Sequence, residues 1–124
     1  MRKLIFADAG PEVDLVLVGE RRQRLEALGD FQIHYGDPEN DQEYLERARG
    51  ADAMMIGGPC VFPAAVMRQV NLEVISFTGR GAATYVDLAV ANELGVTVCI
   101  APGAAEATVA EHAAALMLAA ARHL

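Results

Sequence analysis

The chain has 124 residues, of which 53% are hydrophobic, so it suits one compact domain and excludes a second full domain. Seventeen acidic residues against ten basic ones give a net charge of −7. This charge argues against a nucleic-acid partner or an anionic membrane surface, because either would require a basic face.

The N-terminal residues and the cysteines indicate a cytoplasmic protein. The apolar run in MRKLIFADAG is interrupted at Asp8, so it is too short for a signal peptide or a membrane span. Cys60 and Cys99 lie in or next to apolar runs without CxxC spacing, which predicts two buried, reduced thiols rather than a disulfide. No metal site is predicted, because no HxxxH, CxxC or acidic cluster with ligand spacing occurs.

Five short apolar runs predict β-strands, and the segments between them predict helices. This alternation is typical of an α/β fold, a flavodoxin-like doubly wound parallel sheet of about five strands in three layers. For residues 13–18 the sequence does not decide between a strand and a helix. The predicted strands cover residues 4–7, 31–35, 53–56, 74–78 and 96–100, and the predicted helices cover 20–28, 41–48, 63–70, 82–94 and 106–124.

Two helix ends carry local signals. Asn40 followed by Glu43 is the pattern of a capping box before the helix that contains Tyr44. Gly95 suits the position just past a helix C-terminus, where a left-handed backbone is common. These signals predict a helix start at residue 41 and a helix end just before residue 95.

Asp8 and His112 are the ionisable residues considered for chemistry. Asp8 ends the first predicted strand, where it could be an acid at the ligand edge of the sheet or a residue that caps the turn; both remain open. His112 follows Glu111, but adjacent helical residues do not face each other, so a structural histidine or one at a domain boundary is predicted. His34 and His123 have no partner that the sequence reveals.

The last predicted helix is apolar nearly all the way round. Val109, Leu116, Met117 and Leu118 occur among seven alanines between residues 108 and 124. A helix that is apolar on more than one face must be covered on more than one side. We expect this domain's sheet on one side, and a second domain or a second copy of the chain on the other.

The tripeptide Gly79-Arg80-Gly81 follows the fourth predicted strand. Its main-chain N–H groups could hold a carboxylate, since glycine lets a ligand approach the backbone closely. The same tripeptide also suits an ordinary tight turn between strand and helix, and Arg80 could pair with an anion or point into water. The tripeptide by itself therefore leaves both interpretations open.

The segment VISFTGRGAATYVDLAVANELGVTVCIAPGAAEATVAEHAAALMLAAAR, from Val74 to Arg122, resembles the D-isomer-specific 2-hydroxyacid dehydrogenases. It is similar to the part of their substrate domain that contains the GxG turn, the VDL helix start, the GVxV strand, the PG turn and the VAEH helix. The first 70 residues fit the same fold without diagnostic motifs. The family resemblance implies an oxidoreductase that moves a hydride between NAD or NADP and a 2-hydroxy or 2-keto acid.

The resemblance also implies roles for particular residues. A substrate carboxylate would lie against Thr78, Gly79, Arg80 and Gly81, with main-chain N–H groups near Arg80 and Gly81 as donors. Thr108 and Val109 would lie near the nicotinamide, and His112 would belong to an interdomain helix. None of these residues corresponds to the family's catalytic acid-base, so no catalytic residue is predicted in this chain.

Several positions depart from the family pattern. The turn GRGAATYVDL is one residue longer than the common GxGxDNxDL form, Ile100 stands where asparagine is frequent, and Gly57-Gly58 where a basic residue often follows strand three. The 124 residues contain no GxGxxG dinucleotide motif. We therefore predict a single domain over residues 1–124, the substrate-binding lobe of such an enzyme, inactive alone and without tight binding of the dinucleotide. The alternative is a stand-alone, non-catalytic module that binds carboxylates or dimerises.

Overall fold

A computed structural model of the chain describes residues 1–123 as a five-stranded, fully parallel sheet in the order β2-β1-β3-β4-β5. This is the strand order of flavodoxin, so the predicted α/β fold class is confirmed. Each predicted strand is present; β3 has the predicted ends, and the ends of the other strands differ by at most two residues. The strands are β1 (Lys3–Ala9), β2 (Asp30–Tyr35), β3 (Ala53–Ile56), β4 (Val74–Phe77) and β5 (Thr97–Cys99).

Helices connect the strands and follow the last one. Residues 13–16, which the sequence left open, are helical, and Pro63 precedes its helix instead of starting it. The helices are α1 (Val13–Val16), α2 (Glu20–Glu26), α3 (Asp41–Ala48), α4 (Ala64–Met67), α5 (Ala82–Tyr85), α6 (Leu88–Glu93) and α7 (Glu106–Ala121). The predicted helix to residue 124 thus ends at Ala121, and Leu124 lies outside the described residues.

The two predicted helix ends are both observed. The Asn40 side chain accepts a hydrogen bond from the Glu43 N–H at 3.0 Å and caps α3. The Glu43 carboxylate reaches back, but to the N–H of Glu39 at 2.8 Å and not to that of Asn40. Gly95 has a φ of +72° just beyond α6, a conformation that glycine adopts at little cost.

The helical segment predicted up to Gly95 is divided, because the chain leaves the helical conformation at Val86. The VDL helix start that the resemblance implies is confirmed, since α6 begins directly after Asp87. Val86 is extended and forms a parallel bridge with Phe62, whose N–H donates to the Tyr85 carbonyl at 2.8 Å. Asp87 then starts α6 by accepting from the N–H groups of Ala89 and Val90. A long-range pairing therefore divides a segment whose local composition is helical throughout.

The main core lies between one face of the sheet and helices α3, α4 and α6. Alternate residues of the strands point into this core, and the rings of Tyr44 and Phe62 pack with their centres 5.0 Å apart. Each fully buried side chain of this size contributes roughly 1.5–3 kcal/mol. The largest fully buried side chains are Phe62, Ile5, Met54, Ile56, Met67, Ile75, Val66 and Val86.

The opposite face of the sheet is covered only in part. A smaller cluster centred on Phe6, Ala9 and Val13 lies beneath α1. At the far edge, Thr97 and Cys99 of β5 are exposed, since only Val98 between them packs against the main core. The prediction of two buried thiols is therefore wrong for Cys99; Cys60 is half-buried, and both cysteines are free. Within residues 1–123 the predicted third layer is incomplete.

Helix α7 has none of the cover that its composition predicts. Its large apolar side chains are 56–73% exposed, and no residue of the helix is buried. The expectation that the sheet covers one side of this helix is thus wrong for the described residues. Composition shows that a surface needs covering, but it does not show which surface covers it.

Candidate functional site

A cleft of about 390 Å³ lies at the carboxyl ends of strands β1 to β4. Open α/β sheets bind ligands at this edge, outside the ends of their strands. Three carboxylates line the cleft, and its remaining lining is apolar or glycine apart from one threonine. The lining residues are Phe6, Asp8, Ala9, Gly10, Pro11, Glu12, Gly36, Asp37, Gly57, Gly58, Pro59 and Thr78.

Asp8 is the buried charged residue of this cleft, with 2% of its surface exposed. Its two carboxylate oxygens accept hydrogen bonds from the successive N–H groups of Gly57 and Gly58, each at 2.9 Å. Burial raises the pKa of Asp8, because the charged form loses its hydration, and the two N–H donors counteract part of this effect. Asp8 therefore joins the end of β1 to the loop after β3; it is not a free acid, and it caps a distant loop.

Arg47 of α3 holds the neighbouring strand ends in place. Its guanidinium donates to the carbonyl of Ala7 at 2.6 Å and to that of Gly36 at 2.7 Å. The same group forms an ion pair with Glu43, four residues earlier on α3. Since one planar group joins β1, the end of β2 and α3, the side of the cleft next to β2 is rigidly defined.

The turn after β4 presents unused main-chain donors. The Thr78 N–H donates to the Ile56 carbonyl at 2.9 Å, and the Gly79 carbonyl accepts from the Ala101 N–H at 2.9 Å. Within residues 1–123, the N–H groups of Gly79, Arg80 and Gly81 donate to no other group of the chain. Three successive N–H groups without an acceptor in the described chain are available to hydrogen-bond an anion such as a carboxylate.

The Arg80 side chain turns toward α7. It pairs with Glu106 at 3.0 Å, and the Glu106 carboxylate also accepts from the Gly103 N–H at 2.7 Å, which lowers its pKa. Arg80, Glu106 and Val109 line a second, shallow pocket of about 290 Å³. The Arg80 guanidinium is therefore engaged with the start of α7 and does not point into the main cleft.

The structure brings together some of the residues predicted from the sequence. Thr78 lines the main cleft, and Gly79 to Gly81 form the turn beside it. Arg80 and Val109 share the second pocket, whereas Thr108 is exposed on α7 and does not line it. The roles of these residues in substrate and cofactor binding stay predictions.

The histidines lie outside both pockets. His112 and His123 are exposed. His34 is half-buried on β2, where burial and the nearby charge of Arg47 lower its pKa. None of the three histidines lines the cleft within the described part of the chain.

Sequence reasoning missed the connection between Asp8 and the pair Gly57-Gly58. The signal was present, because Asp8 follows strand one, the glycines follow strand three, and these two strands are neighbours in the doubly wound order. What the sequence did not provide was the burial of Asp8, which results from packing between residues about 50 positions apart.

The described residues do not fit a dinucleotide. Gly79-Arg80-Gly81 leads into the four-residue helix α5, and Thr84 stands where a GxGxxG motif has its third glycine. Among residues 1–123 no group of three histidine, cysteine or acidic side chains could hold a metal ion. Over the same residues, no helix has the length and apolar character needed to cross a bilayer.

Comparison with known proteins identifies a family. The model of the "D-isomer specific 2-hydroxyacid dehydrogenase, catalytic domain" matches residues 15–122. D-3-phosphoglycerate dehydrogenase from Methanocaldococcus jannaschii is 34% identical over 101 residues, which cover 81% of this chain and 19% of that protein. The chain thus spans about a fifth of the length of this curated relative.

Solved structures give the same result. The TT0316 protein from Thermus thermophilus matches with a TM-score of 0.76 and 30% identity, over 99% of this chain and 37% of that one. The pyruvate reductase of Chlamydomonas reinhardtii matches with a TM-score of 0.75 and 25% identity, over 99% of this chain and 35% of that one. With the family model matching most of its residues, the chain belongs to the D-isomer-specific 2-hydroxyacid dehydrogenase family.

Proposed function

We propose that this chain is the substrate-binding lobe of an NAD(P)-dependent oxidoreductase that interconverts a 2-hydroxy acid and a 2-keto acid. In this proposal the lobe binds the carboxylate of the acid at the turn formed by Thr78, Gly79, Arg80 and Gly81. The reaction also needs a nicotinamide, which supplies the hydride when bound, and an acid-base group for the substrate oxygen.

The free donors after β4 carry this proposal. The N–H groups of Gly79, Arg80 and Gly81 lie next to Thr78, which lines the cleft at the carboxyl edge of the sheet. A carboxylate accepts several hydrogen bonds at once, and charge-assisted bonds of this kind are stronger than neutral ones. Because the Arg80 guanidinium is paired with Glu106, we assign recognition to the main chain and not to this side chain.

The acidic residues of the cleft bear on where the substrate lies. Asp8, Glu12 and Asp37 line the cleft, and no lysine or arginine is among its described lining residues. A carboxylate deep in the cleft would be repelled, since like charges at short range in a partly buried site interact unfavourably. The substrate carboxylate therefore belongs at the turn after β4, on the cleft's rim.

Binding of the dinucleotide pyrophosphate is assigned to residues other than these 124, because the chain has no GxGxxG motif. Thr108 and Val109, on the first turn of α7, would contact the nicotinamide from this side of the active site. We expect no tight binding of NAD or NADP by the chain alone, and no hydride transfer.

The experiment is an NMR titration of the 124-residue chain with pyruvate, and separately with NADH. Pyruvate is expected to shift the amide resonances of Gly79, Arg80 and Gly81 most, because those N–H groups become hydrogen-bonded. Arg80→Ala is the matched control: it removes the guanidinium but keeps the N–H, so the same amides should still shift. Unchanged amides at 79–81 at saturating pyruvate would refute carboxylate binding. Oxidation of NADH by the chain in a sample that also contains pyruvate, which would accept the hydride, would refute its inactivity.

A second candidate function is a non-catalytic module that associates through its last helix. The exposed apolar side chains of α7 favour it, since contiguous apolar surface of this kind marks an interaction site. It predicts a stable homodimer in sedimentation equilibrium that ignores NADH. A monodisperse monomer whose α7 resists proteolysis would count against it.

A further inference from the structure

Asp8 fixes the backbone of the loop after β3. Its two oxygens bind the N–H groups of adjacent residues, Gly57 and Gly58, at the same distance of 2.9 Å. A carboxylate that accepts from two successive amides determines the orientation of both peptide units, because each donor must point at its own oxygen. The loop is thus held by a side chain from another strand.

Gly57 leaves room for the Thr78 hydroxyl. A Cβ at residue 57 would lie 2.8 Å from Thr78 Oγ1 and 3.1 Å from the Cζ of Phe6. The backbone of Gly57 is not left-handed, so space and not conformation requires glycine here. Thr78 is also tied to the end of β3 through its N–H bond to the Ile56 carbonyl. The position of Gly57 therefore decides where the Thr78 side chain can lie.

We propose that Asp8 is a positioning residue: by holding Gly57 and Gly58, its ionised carboxylate sets the location of the Thr78 hydroxyl at the rim of the cleft. The link to substrate binding rests on the proposed function, in which Thr78 contacts the 2-keto acid. The geometric part of the proposal concerns Asp8, Gly57 and Thr78 alone.

Several titratable and charged groups surround Asp8. They are Glu12 after β1, Asp37 after β2, Tyr44 and Arg47 on α3, and Cys60 after β3. Burial raises the pKa of Asp8 first, and the negative charge of Asp37 raises it further. Since Asp37 Oδ1 also lies close to the site of Gly58, these two carboxylates share one side of the cleft.

Because its pKa is raised, Asp8 makes the folded domain less stable as the pH rises. Because the folded pKa of Asp8 lies above the unfolded value of 3.8, the contribution of Asp8 to stability is fully present below pH 3.8. That contribution is lost as the pH rises through the folded pKa. The ionised form, which accepts both N–H bonds, thus costs stability, and this cost is expected where a site is organised for binding.

The test follows the pH dependence of resonances from Gly57, Gly58 and Thr78 in the chain. As Asp8 loses its charge, the amide protons of the two glycines should move upfield, and the Thr78 amide and methyl resonances should shift with the same midpoint. In Asp8→Asn this shared transition should be absent. The matched control Asp37→Asn should keep the transition but move its midpoint to lower pH, since it removes a neighbouring negative charge.

A second variant distinguishes the effect of Asp8 on the Gly57-Gly58 loop from the effect of that loop on the Thr78 hydroxyl. In Gly57→Ala the N–H resonances of residues 57 and 58 should still shift as Asp8 is protonated, because the carboxylate and both N–H groups remain. The Thr78 resonances should be displaced at every pH, since the new methyl group would lie 2.8 Å from Oγ1, too close for the hydroxyl to stay where it is. Both Asp8→Asn and Gly57→Ala are expected to bind pyruvate roughly 3- to 10-fold more weakly at pH 7, the loss of about one hydrogen bond.

The outcomes separate the two proposals. Thr78 resonances that stay fixed while Gly57 and Gly58 titrate would overturn the positioning role of Asp8. Equal pyruvate affinity in the wild type and in Asp8→Asn at pH 7 would overturn its effect on binding. If the wild-type chain binds no pyruvate, the proposed function fails, and the Thr78 shifts still decide the positioning role.

Discussion

The sheet face beneath α3, α4 and α6 and the last helix α7 are both apolar, yet only the first is covered. Ile75 on the covered face and Phe62, which packs in the same core, have no exposed surface, whereas Met117 and Leu118 of α7 are 73% and 69% exposed. The two regions therefore differ in their neighbours and not in their composition. The covered face therefore contributes buried apolar surface to the stability of the fold, whereas α7 contributes no buried residue.

The largest expected effect is the loss of a side chain from the main core, which lies against the covered face. Phe62→Ala should lower the free energy of unfolding by about 3–5 kcal/mol, because it removes a fully buried ring that packs on Tyr44 and leaves a cavity. Urea denaturation measures this change. A loss below about 1 kcal/mol would mean that the core closes around the missing ring, and would weaken the contrast between the two regions.

A smaller effect is expected from the arginine that joins α3 to the sheet. Arg47→Met keeps the aliphatic part of the side chain but leaves the carbonyls of Ala7 and Gly36 without this donor, so stability should fall by about 1–3 kcal/mol. Thermal and urea unfolding of the variant provide the measurement. Arg22→Met is the matched control, since Arg22 pairs with Glu26 at the surface of α2, and it should change stability little.

The smallest effect on stability is expected on α7. Met117→Gln should leave the free energy of unfolding within about 0.5 kcal/mol of the wild type, because the side chain is exposed and glutamine is a good helix former. If α7 mediates self-association, the same variant should weaken that association in sedimentation equilibrium. A large loss of monomer stability would show that α7 is covered in solution, and would remove the distinction drawn above.

The local elements of the fold followed from the sequence. The strands are short apolar runs. The Asn40 side chain caps α3 by accepting from the N–H of Glu43, three residues later, and Gly95 ends α6 by adopting a left-handed backbone conformation. Each of these interactions involves residues that are close in sequence, so it can be predicted from the sequence alone. The doubly wound, flavodoxin-like class of the sheet also followed, because strands and helices alternate along the chain, and the strand order that the structure shows agrees with that class.

The candidate site was predicted in part. The GxG turn was identified by its place after a strand and by family resemblance, but its free N–H groups and the engagement of Arg80 by Glu106 depend on how the chain turns in space. The resemblance placed a helix start at Val86-Asp87-Leu88, but composition alone indicated one continuous helix, since the cause of the division is a bridge to Phe62.

Most strands and helices, and the family that the last 50 or so residues resemble, could be predicted from the sequence, because periodicity, caps and turn residues are local properties. The burial of Asp8 against Gly57 and Gly58, the exposure of Cys99 and the lack of cover over α7 within residues 1–123 are known only from the folded structure. Burial depends on which surfaces meet, and those surfaces come from residues far apart in the chain.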